Sequence, residues 1–492
     1  MPEGLPMLPI DMKQFPFEIL TPELVLVGFA LMILLVGAFS RTAESRLYAG
    51  LMAASGLVIA GLFALHAYGV KAEAFYGAYQ LDSFGVFLKV VILAGTFITT
   101  LLSMDYLRRR DIPVYEYYSL LLFATVGMIL LVSSADLISI LIAIEIMSLS
   151  VYVLVGIRRD EPFATEAALK YFILGSFASG ILVYGIAMVY GAAESINLNQ
   201  IASAVMRGTI QEPKLFAIGI GLILVGFGFK IASVPFHMWA PDVYQGAPAP
   251  ITGFMSMGVK AAAFGAAIRV FAIAFGNNIS DWQPILWWLA VATMLGGNLM
   301  ALMQENIKRM LAYSSIAHAG YILVGLAVGT LQAGAAMLFY LAAYAFMNLG
   351  AFGVIVAVSG GEKELENIPD WSGLAYRYPL LGAAMALCLF SLIGMPPTGG
   401  FFAKFYLFYS AVAAGDVSIV VIGVIASMIS LYFYLKVIVY MYMRDPEREI
   451  VPPAPNLSVR LGVLLASCAV LYLGILPGSV LGWATSSIAT LF

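Results

Sequence analysis

Charge is scarce in this sequence: Asp, Glu, Lys and Arg make up 11% of its 492 residues, against about 25% in an ordinary soluble domain. A water-soluble fold of this size needs a charged exterior, so a soluble enzyme, a nucleic-acid binder and a disordered scaffold are excluded. Cysteine is nearly absent. Cys388 and Cys468 both lie in apolar runs, which excludes a disulfide framework and a zinc or iron–sulfur cluster held within the chain. Histidine is limited to His66, His237 and His318. No Walker A sequence occurs, so ATP is not the fuel inside this chain. Gly219 and Gly221 form only a lone GxG in an apolar run, where close helix packing is the plainer reading.

Apolar residues supply 62% of the chain, and mean hydropathy is +0.95. A membrane-spanning helix needs about 20 mostly apolar residues. That ruler gives fourteen spans: 22–40, 48–68, 83–104, 115–133, 137–157, 163–190, 215–239, 250–275, 284–303, 307–328, 333–358, 379–413, 417–443 and 459–483. Runs such as Leu24 to Val36 are apolar on every face, which rules out the alternation of a β-barrel strand. The sequence therefore predicts an all-α polytopic membrane protein. Glu3, Asp11 and Glu18 precede the first span with only Lys13 as a basic residue. That is unlike a signal peptide, so 22–40 reads as a retained helix. The largest connections, 191–214, 359–378 and 444–458, are too short for a nucleotide-binding domain.

Seven cations fall well inside these spans: Lys89, Lys170, Lys230, Lys260, Arg269, Lys404 and Lys436. Glu145 is the one acid well inside a span. Each such charge costs roughly 2.5–3.5 kcal/mol at a helix centre on the insertion scale, so each is a functional candidate by default. Lys89 and Arg269 lie about two turns from a helix end, close enough for a long side chain to snorkel to the headgroups. Glu145, Lys230, Lys260 and Lys404 are deeper. Burial lowers a lysine pKa and raises a glutamate pKa, and a partner of opposite charge counters both shifts. Such groups suit a proton relay. His318, midway along the tenth span with Ser314 about one turn before it, is a natural further member. His237, Lys170 and Lys436 are secondary candidates. A metal site is not expected, because no Cys, Asp or Glu accompanies His237 within its span.

Two spans carry helix breakers. Pro235 interrupts the seventh, and Pro396, Pro397, Gly399 and Gly400 should unwind the twelfth. Unpaired backbone inside a membrane is tolerated only against protein or a wet cavity, and paired interrupted helices point to a transport site. The two lie five spans apart. An odd offset inverts the second unit, giving two inverted five-helix repeats, spans 4–8 and 9–13. The organisation read from this is a three-helix segment over 1–114, repeats over 115–275 and 284–443, and a C-terminal helix over 444–492.

The order Glu145, Lys230, Lys260 and Lys404 in spans five, seven, eight and twelve resembles the antiporter-like subunits of respiratory complex I. The stretch Lys230-Ile-Ala-Ser-Val-Pro-Phe-His-Met-Trp-Ala-Pro-Asp-Val-Tyr-Gln-Gly-Ala-Pro248 looks like the most characteristic segment of that family. Ala168-Leu-Lys-Tyr-Phe-Ile-Leu-Gly-Ser176 and Pro396-Pro-Thr-Gly-Gly-Phe-Phe-Ala-Lys-Phe-Tyr406 look most like its N-type (subunit 2) branch within NADH–quinone oxidoreductase. The resemblance implies a proton channel with no redox centre of its own, driven by quinone reduction elsewhere in the complex. Glu145 would pair with Lys230, Lys260 and His318 would relay the proton, Lys404 would connect to the opposite side, and Lys170 would sit near Lys230. Quinone, FMN and iron–sulfur clusters would belong to partner subunits, with the M and K subunits as membrane neighbours in a bacterial plasma (inner) membrane. A subunit of a multisubunit sodium–proton antiporter, which shares these motifs, and a structural membrane subunit without transport are the rival readings.

Loop charge predicts orientation. Loops after odd-numbered spans hold fourteen Lys and Arg residues, against four in the N-terminal tail and the loops after even spans. Positive loops stay cytoplasmic, so both termini should lie on the non-cytoplasmic side. Reporter fusions after Phe492 and within 105–114 should report opposite sides; the same side for both would refute the fourteen-span topology.

Overall fold

The computed structural model of the chain describes residues 17–39, 43–359, 364–445 and 455–491. Lys13, Arg41, Lys363 and Arg448, which entered the loop-charge count, lie outside the described residues. The first third contains α1 (Thr21–Phe39), α2 (Ala43–His66), a short hairpin of β1 (Ala72–Ala74) and β2 (Tyr79–Leu81), α3 (Ser83–Arg109), α4 (Val114–Ser133) and α5 (Leu137–Val155). The middle contains α6 (Pro162–Ala193), α7 (Leu198–Arg207), α8 (Pro213–Ile231), α9 (Trp239–Gly246), α10 (Ala249–Phe254), α11 (Lys260–Arg269) and α12 (Ile279–Leu302). The remainder comprises α13 (Ile307–Val328), α14 (Leu331–Val358), α15 (Leu374–Arg377), α16 (Pro379–Ile393), α17 (Gly399–Ala413), α18 (Val417–Met443), α19 (Leu457–Ile475) and α20 (Pro477–Ile488).

Among the described residues, thirteen helical stretches are long and apolar enough to cross a membrane. The fourteenth crossing is split into α16 and α17, so the span count agrees with the sequence. Two boundaries differ. The seventh span stops at Ile231 and resumes as the short α9. The last ends at Ile475, because Pro477 cannot continue the hydrogen-bond ladder and starts α20 instead. The connection over 191–214 contains α7, and the one between α2 and α3 contains the hairpin, both too short to register as spans.

Polar residues at the helix starts satisfy backbone N–H groups that have no partner within the helix. Asp82 accepts from Gly85 N at 2.7 Å, Asp136 from Ser139 N at 2.8 Å and Asn306 from Arg309 N at 3.0 Å. α13 and α14 are buried along nearly their whole lengths and form the centre of the molecule. Large apolar side chains stay exposed on the outer helices, among them Phe172 and Phe177 on α6 and Met428 and Tyr432 on α18. Such faces suit lipid or other membrane subunits.

Both breaks are present. α8 terminates at Ala232 in the left-handed region, φ 59°, and α16 at Gly394, φ 92°. The Val234–Pro235 and Pro396–Pro397 peptides are cis. Ala232 holds a conformation that usually belongs to glycine, a local strain of about 1–2 kcal/mol. Gly399 and Gly400 do not unwind the twelfth span as the sequence predicted. They form the first turn of α17, and the unwound stretch lies before them. Their smallness serves packing: the Gly400 N–H donates to Ser391 Oγ at 3.0 Å, and a Cβ there would overlap the Ser391 carbonyl. The GxG splits likewise. Gly219 lies against Val189 of α6, whereas Gly221 faces open space. Gly400→Ala should therefore sharply lower the amount of assembled protein, and Gly221→Ala should leave it unchanged; quantitative immunoblotting of membranes checks both.

Candidate functional site

Lys230 lies in the last turn of α8, next to the break, and is 4% exposed. Its ammonium donates to Ser148 Oγ at 2.7 Å and Tyr152 Oη at 3.4 Å, both on α5. Glu145 is about one turn from Ser148 on the same helix, yet it makes no ion pair with Lys230. It is only half-buried and accepts from Ser179 Oγ of α6 at 2.5 Å. Ser148 occupies the place expected for a direct carboxylate partner.

Lys260 opens α11 between two π-helical segments, Met255–Val259 and Val270–Ala274. Local π geometry is common at functional sites because it shifts the register of side chains. Its ammonium donates to Ser315 Oγ at 2.6 Å and to the Ser315 carbonyl, and lies 5.2 Å from the Tyr344 ring centre. His318 follows Ser315 by three residues, about one turn. Its Nδ1 is 2.7 Å from Tyr340 Oη and its Nε2 3.3 Å from Tyr434 Oη, which is itself bonded to Ser314. Beyond it, Tyr321 leads to Lys404. That ammonium sits 4.7 Å from the Tyr321 ring centre and donates to the carbonyls of Leu392 at 3.2 Å and Ile393 at 2.8 Å, and to Ser427 Oγ at 2.7 Å. The carbonyls freed by the twelfth-span break are thus met by the lysine itself. The cavity beside Lys404, about 620 Å³, is lined mainly by apolar side chains such as Phe401, Phe405 and Val424.

Lys260, His318 and Lys404 form one connected cluster. Lys230 joins it less directly. Tyr152, Tyr171, Trp239 and Tyr244 run between them with ring centres 4.7, 4.4 and 6.2 Å apart, and Tyr244 Oη reaches Ser315 Oγ at 3.4 Å. The secondary candidates stand apart. Lys170 pairs with Glu166 at 2.7 Å and Asp242 at 2.8 Å rather than approaching Lys230, and Asp242 also binds Arg309. Lys436 is half-buried and touches the Gln304 carbonyl at 3.4 Å. His237 is half-buried in the break, with no hydrogen bond to its Nδ1. Among the described residues no group of three or more His, Cys, Asp or Glu side chains could hold a metal.

Neither Lys89 nor Arg269 snorkels. Lys89 bonds Glu23 at 2.7 Å and Tyr79 at 2.5 Å, and Arg269 grips Asp82 bidentately at 2.7 and 2.9 Å. Lys308, counted among the loop charges, is buried and paired with Glu364 at 2.8 Å. Glu364 also accepts from Tyr106. Burial alone pushes that carboxyl up, but the Lys308 ammonium and the Tyr106 hydroxyl outweigh it and hold Glu364 below the usual carboxylate range. The pair therefore stabilises the fold at neutral pH and is lost only as the pH falls below that range. These three pairs escaped the sequence reading because their acids sit at span ends or in loops and fold inward.

The chain matches the family described as NADH:quinone oxidoreductase/Mrp antiporter, TM, over residues 134–430. It is 44% identical to NADH-quinone oxidoreductase subunit N of Trichlorobacter lovleyi, over 96% of both chains. A chain of respiratory complex I from Thermus thermophilus superposes with a TM-score of 0.80 at 36% identity, covering 94% of this chain and 98% of that one. A chain of the Mrp complex from a Dietzia species shares the fold, with a TM-score of 0.84 at 22% identity over 97% and 98%. The class is thus the antiporter-like membrane subunits shared by these assemblies. Within that class the chain belongs to the subunit N family of NADH-quinone oxidoreductase. It is a multi-pass membrane protein of an enzyme complex.

Removing one partner of a buried ion pair costs about 3–5 kcal/mol, whereas replacing both with apolar groups is often neutral. Lys89→Met should accordingly lower the thermal midpoint of the detergent-solubilised protein, and Lys89→Met with Glu23→Leu should recover most of the loss. Equal midpoints for wild type and the single variant would deny the pair a structural role.

Proposed function

We propose that the chain carries protons across the membrane for NADH-quinone oxidoreductase through Lys230, Lys260, His318 and Lys404. One observation carries this reading. Each of the three lysines is buried and bonded to hydroxyls or carbonyls, with no carboxylate in ion-pair range, whereas Lys89, Arg269 and Lys308 each have one. A lysine held by neutral groups in a low-dielectric setting lacks the counter-charge that would fix its proton, so it can load and unload. Glu145 acts on Lys230 through the field across Ser148. Lys260 passes its proton along Ser315, His318 and Tyr434 toward Tyr321 and Lys404, and Lys404 discharges toward the opposite side. Lys170, His237 and Lys436 take no direct part.

The driving energy comes from quinone reduction in partner subunits, which carry FMN and the iron–sulfur clusters, while this chain supplies no redox centre. Its exposed apolar faces pack against the M and K subunits in the bacterial inner membrane, with both termini on the non-cytoplasmic side. The segments 1–114, 115–275, 284–443 and 444–492 serve as an N-terminal support, two inverted halves of the channel and a C-terminal clamp. Identity of 44% to a subunit N sequence against 22% to the Mrp chain favours this reading over a sodium–proton antiporter.

Lys404 tests the proposal. Lys404→Ala removes a titratable site and should abolish NADH-driven proton pumping by the assembled complex. Lys404→Arg keeps a positive charge that stays protonated and should fail to restore full pumping. Wild-type pumping by the arginine variant would make Lys404 a fixed charge and not a carrier.

A further inference from the structure

The route above leaves open how Lys260 receives its proton from the side bearing Arg108, Arg109, Lys308 and Arg309, the cytoplasmic side by loop charge. The structure holds a polar seam in that direction. Thr252, Ser256 and Lys260 follow at four-residue intervals along α10, the π segment and the start of α11, a spacing that stacks side chains on one helix face. α14 faces this stripe with Tyr344 and Asn348, also four apart. Thr252, Ser256 and Asn348 have no exposed surface, and Tyr344 has 1%.

The seam is under-satisfied. Asn348 Nδ2 donates to Ser256 Oγ, and Asn348 Oδ1 has no partner. Reversing the amide would only exchange which atom is left over. The buried Tyr344 hydroxyl likewise has no hydrogen-bond partner. An unpaired buried polar group costs about 1–3 kcal/mol, and buried water making two to four hydrogen bonds is the usual remedy. The neighbours of Asn348 on α14, Met347, Leu349 and Phe352, are apolar, so packing alone gives no reason for an amide there. At the far end, Thr252 Oγ1 donates to the Tyr244 carbonyl at 3.0 Å and reaches the Ala247 carbonyl at 3.5 Å. Lys308 Nζ donates to that same Ala247 carbonyl at 2.8 Å and pairs with Glu364. Polar groups thus follow one another from Glu364 to Lys260. The helix rise of about 1.5 Å per residue from Ala249 makes this roughly 16 Å, half the hydrocarbon thickness.

We propose that this seam is the input limb of Lys260, in which Asn348, with Ser256, positions water that hands the lysine its proton, and the Glu364–Lys308 pair frames the mouth. It rests on the proton-carrying reading of Lys260. In the step, an O–H bond of a hydronium at Asn348 breaks as an N–H bond forms on the neutral Lys260 amine. Water remains, and the next proton enters from the cytoplasmic side.

The test uses everted membrane vesicles containing the whole complex, in which the medium is the cytoplasmic side. Asn348→Leu keeps the branched shape and removes the polar atoms, and should slow NADH-driven pumping about tenfold, equivalent to about 1.4 kcal/mol of barrier. Lowering the pH of the medium should speed this variant more than wild type, because proton delivery has become limiting; a packing defect would not respond in that way. Asn348→Ser, which leaves a hydroxyl and room for water, should restore the rate. Where Asn348→Leu fails to assemble, Ser256→Ala decides, with the same slowing and the same pH response expected. Wild-type pumping by these variants, or slowing by the same factor at every pH, overturns the input limb. Lys260→Ala separates this from the parent reading: normal pumping there would sink the relay itself, whereas a dead Lys260→Ala beside normal Asn348 variants would sink only the limb.

Discussion

An ammonium ion removed from water must be solvated by something, and the choice of that something organises this molecule. Toward the ends of the helices, Lys89, Arg269 and Lys308 are solvated by carboxylates. Near the middle, Lys230, Lys260 and Lys404 are solvated by serine hydroxyls and backbone carbonyls. The first kind binds elements together. The second kind holds the amine in place without an opposite charge. The same residue type serves as a fastener in one layer and as a proton carrier, on the reading proposed, in another, and only the partner distinguishes them.

The broken helices follow from the same need. Interrupting a helix inside the membrane leaves carbonyls that cannot be left bare, and Lys404 takes up those of Leu392 and Ile393. The unwound stretch after Gly394 thereby creates the binding place for the amine. At the other break, Lys230 lies just before the strained Ala232 and turns to α5 for its hydroxyl. The two breaks are alike in form and opposite in where the lysine stands: Lys230 precedes its break and Lys404 follows its own.

The spans were legible because a helix that crosses a bilayer must be apolar for about 20 residues, and no tertiary contact relaxes that demand. The breaks were legible from Pro235 and Pro396–Pro397. Lys230, Lys260, His318 and Lys404 were legible as deep polar residues. What the sequence hid depends on direction. Nothing local says that Glu23, in the first turn of α1, points inward to Lys89, or that Glu364 returns from a loop to Lys308. Nor does spacing reveal that Ser148 stands between Glu145 and Lys230, or that Gly399 and Gly400 are needed for contact rather than flexibility.

The ring series Tyr152, Tyr171, Trp239 and Tyr244 between Lys230 and the Lys260 cluster has a consequence of its own. Its hydroxyls at the two ends reach Lys230 and Ser315, but between them the contacts are ring to ring rather than hydroxyl to hydroxyl, so the series is no continuous proton wire. A wire continuous from one surface to the other would let the transmembrane gradient discharge through the protein. On the proton-carrying reading proposed above, the aromatic joint would act as an insulator bypassed by motion or by transient water, so that charge would cross in separate strokes. On that reading, the same rings that pack α5, α6 and α9 together would also suppress leakage.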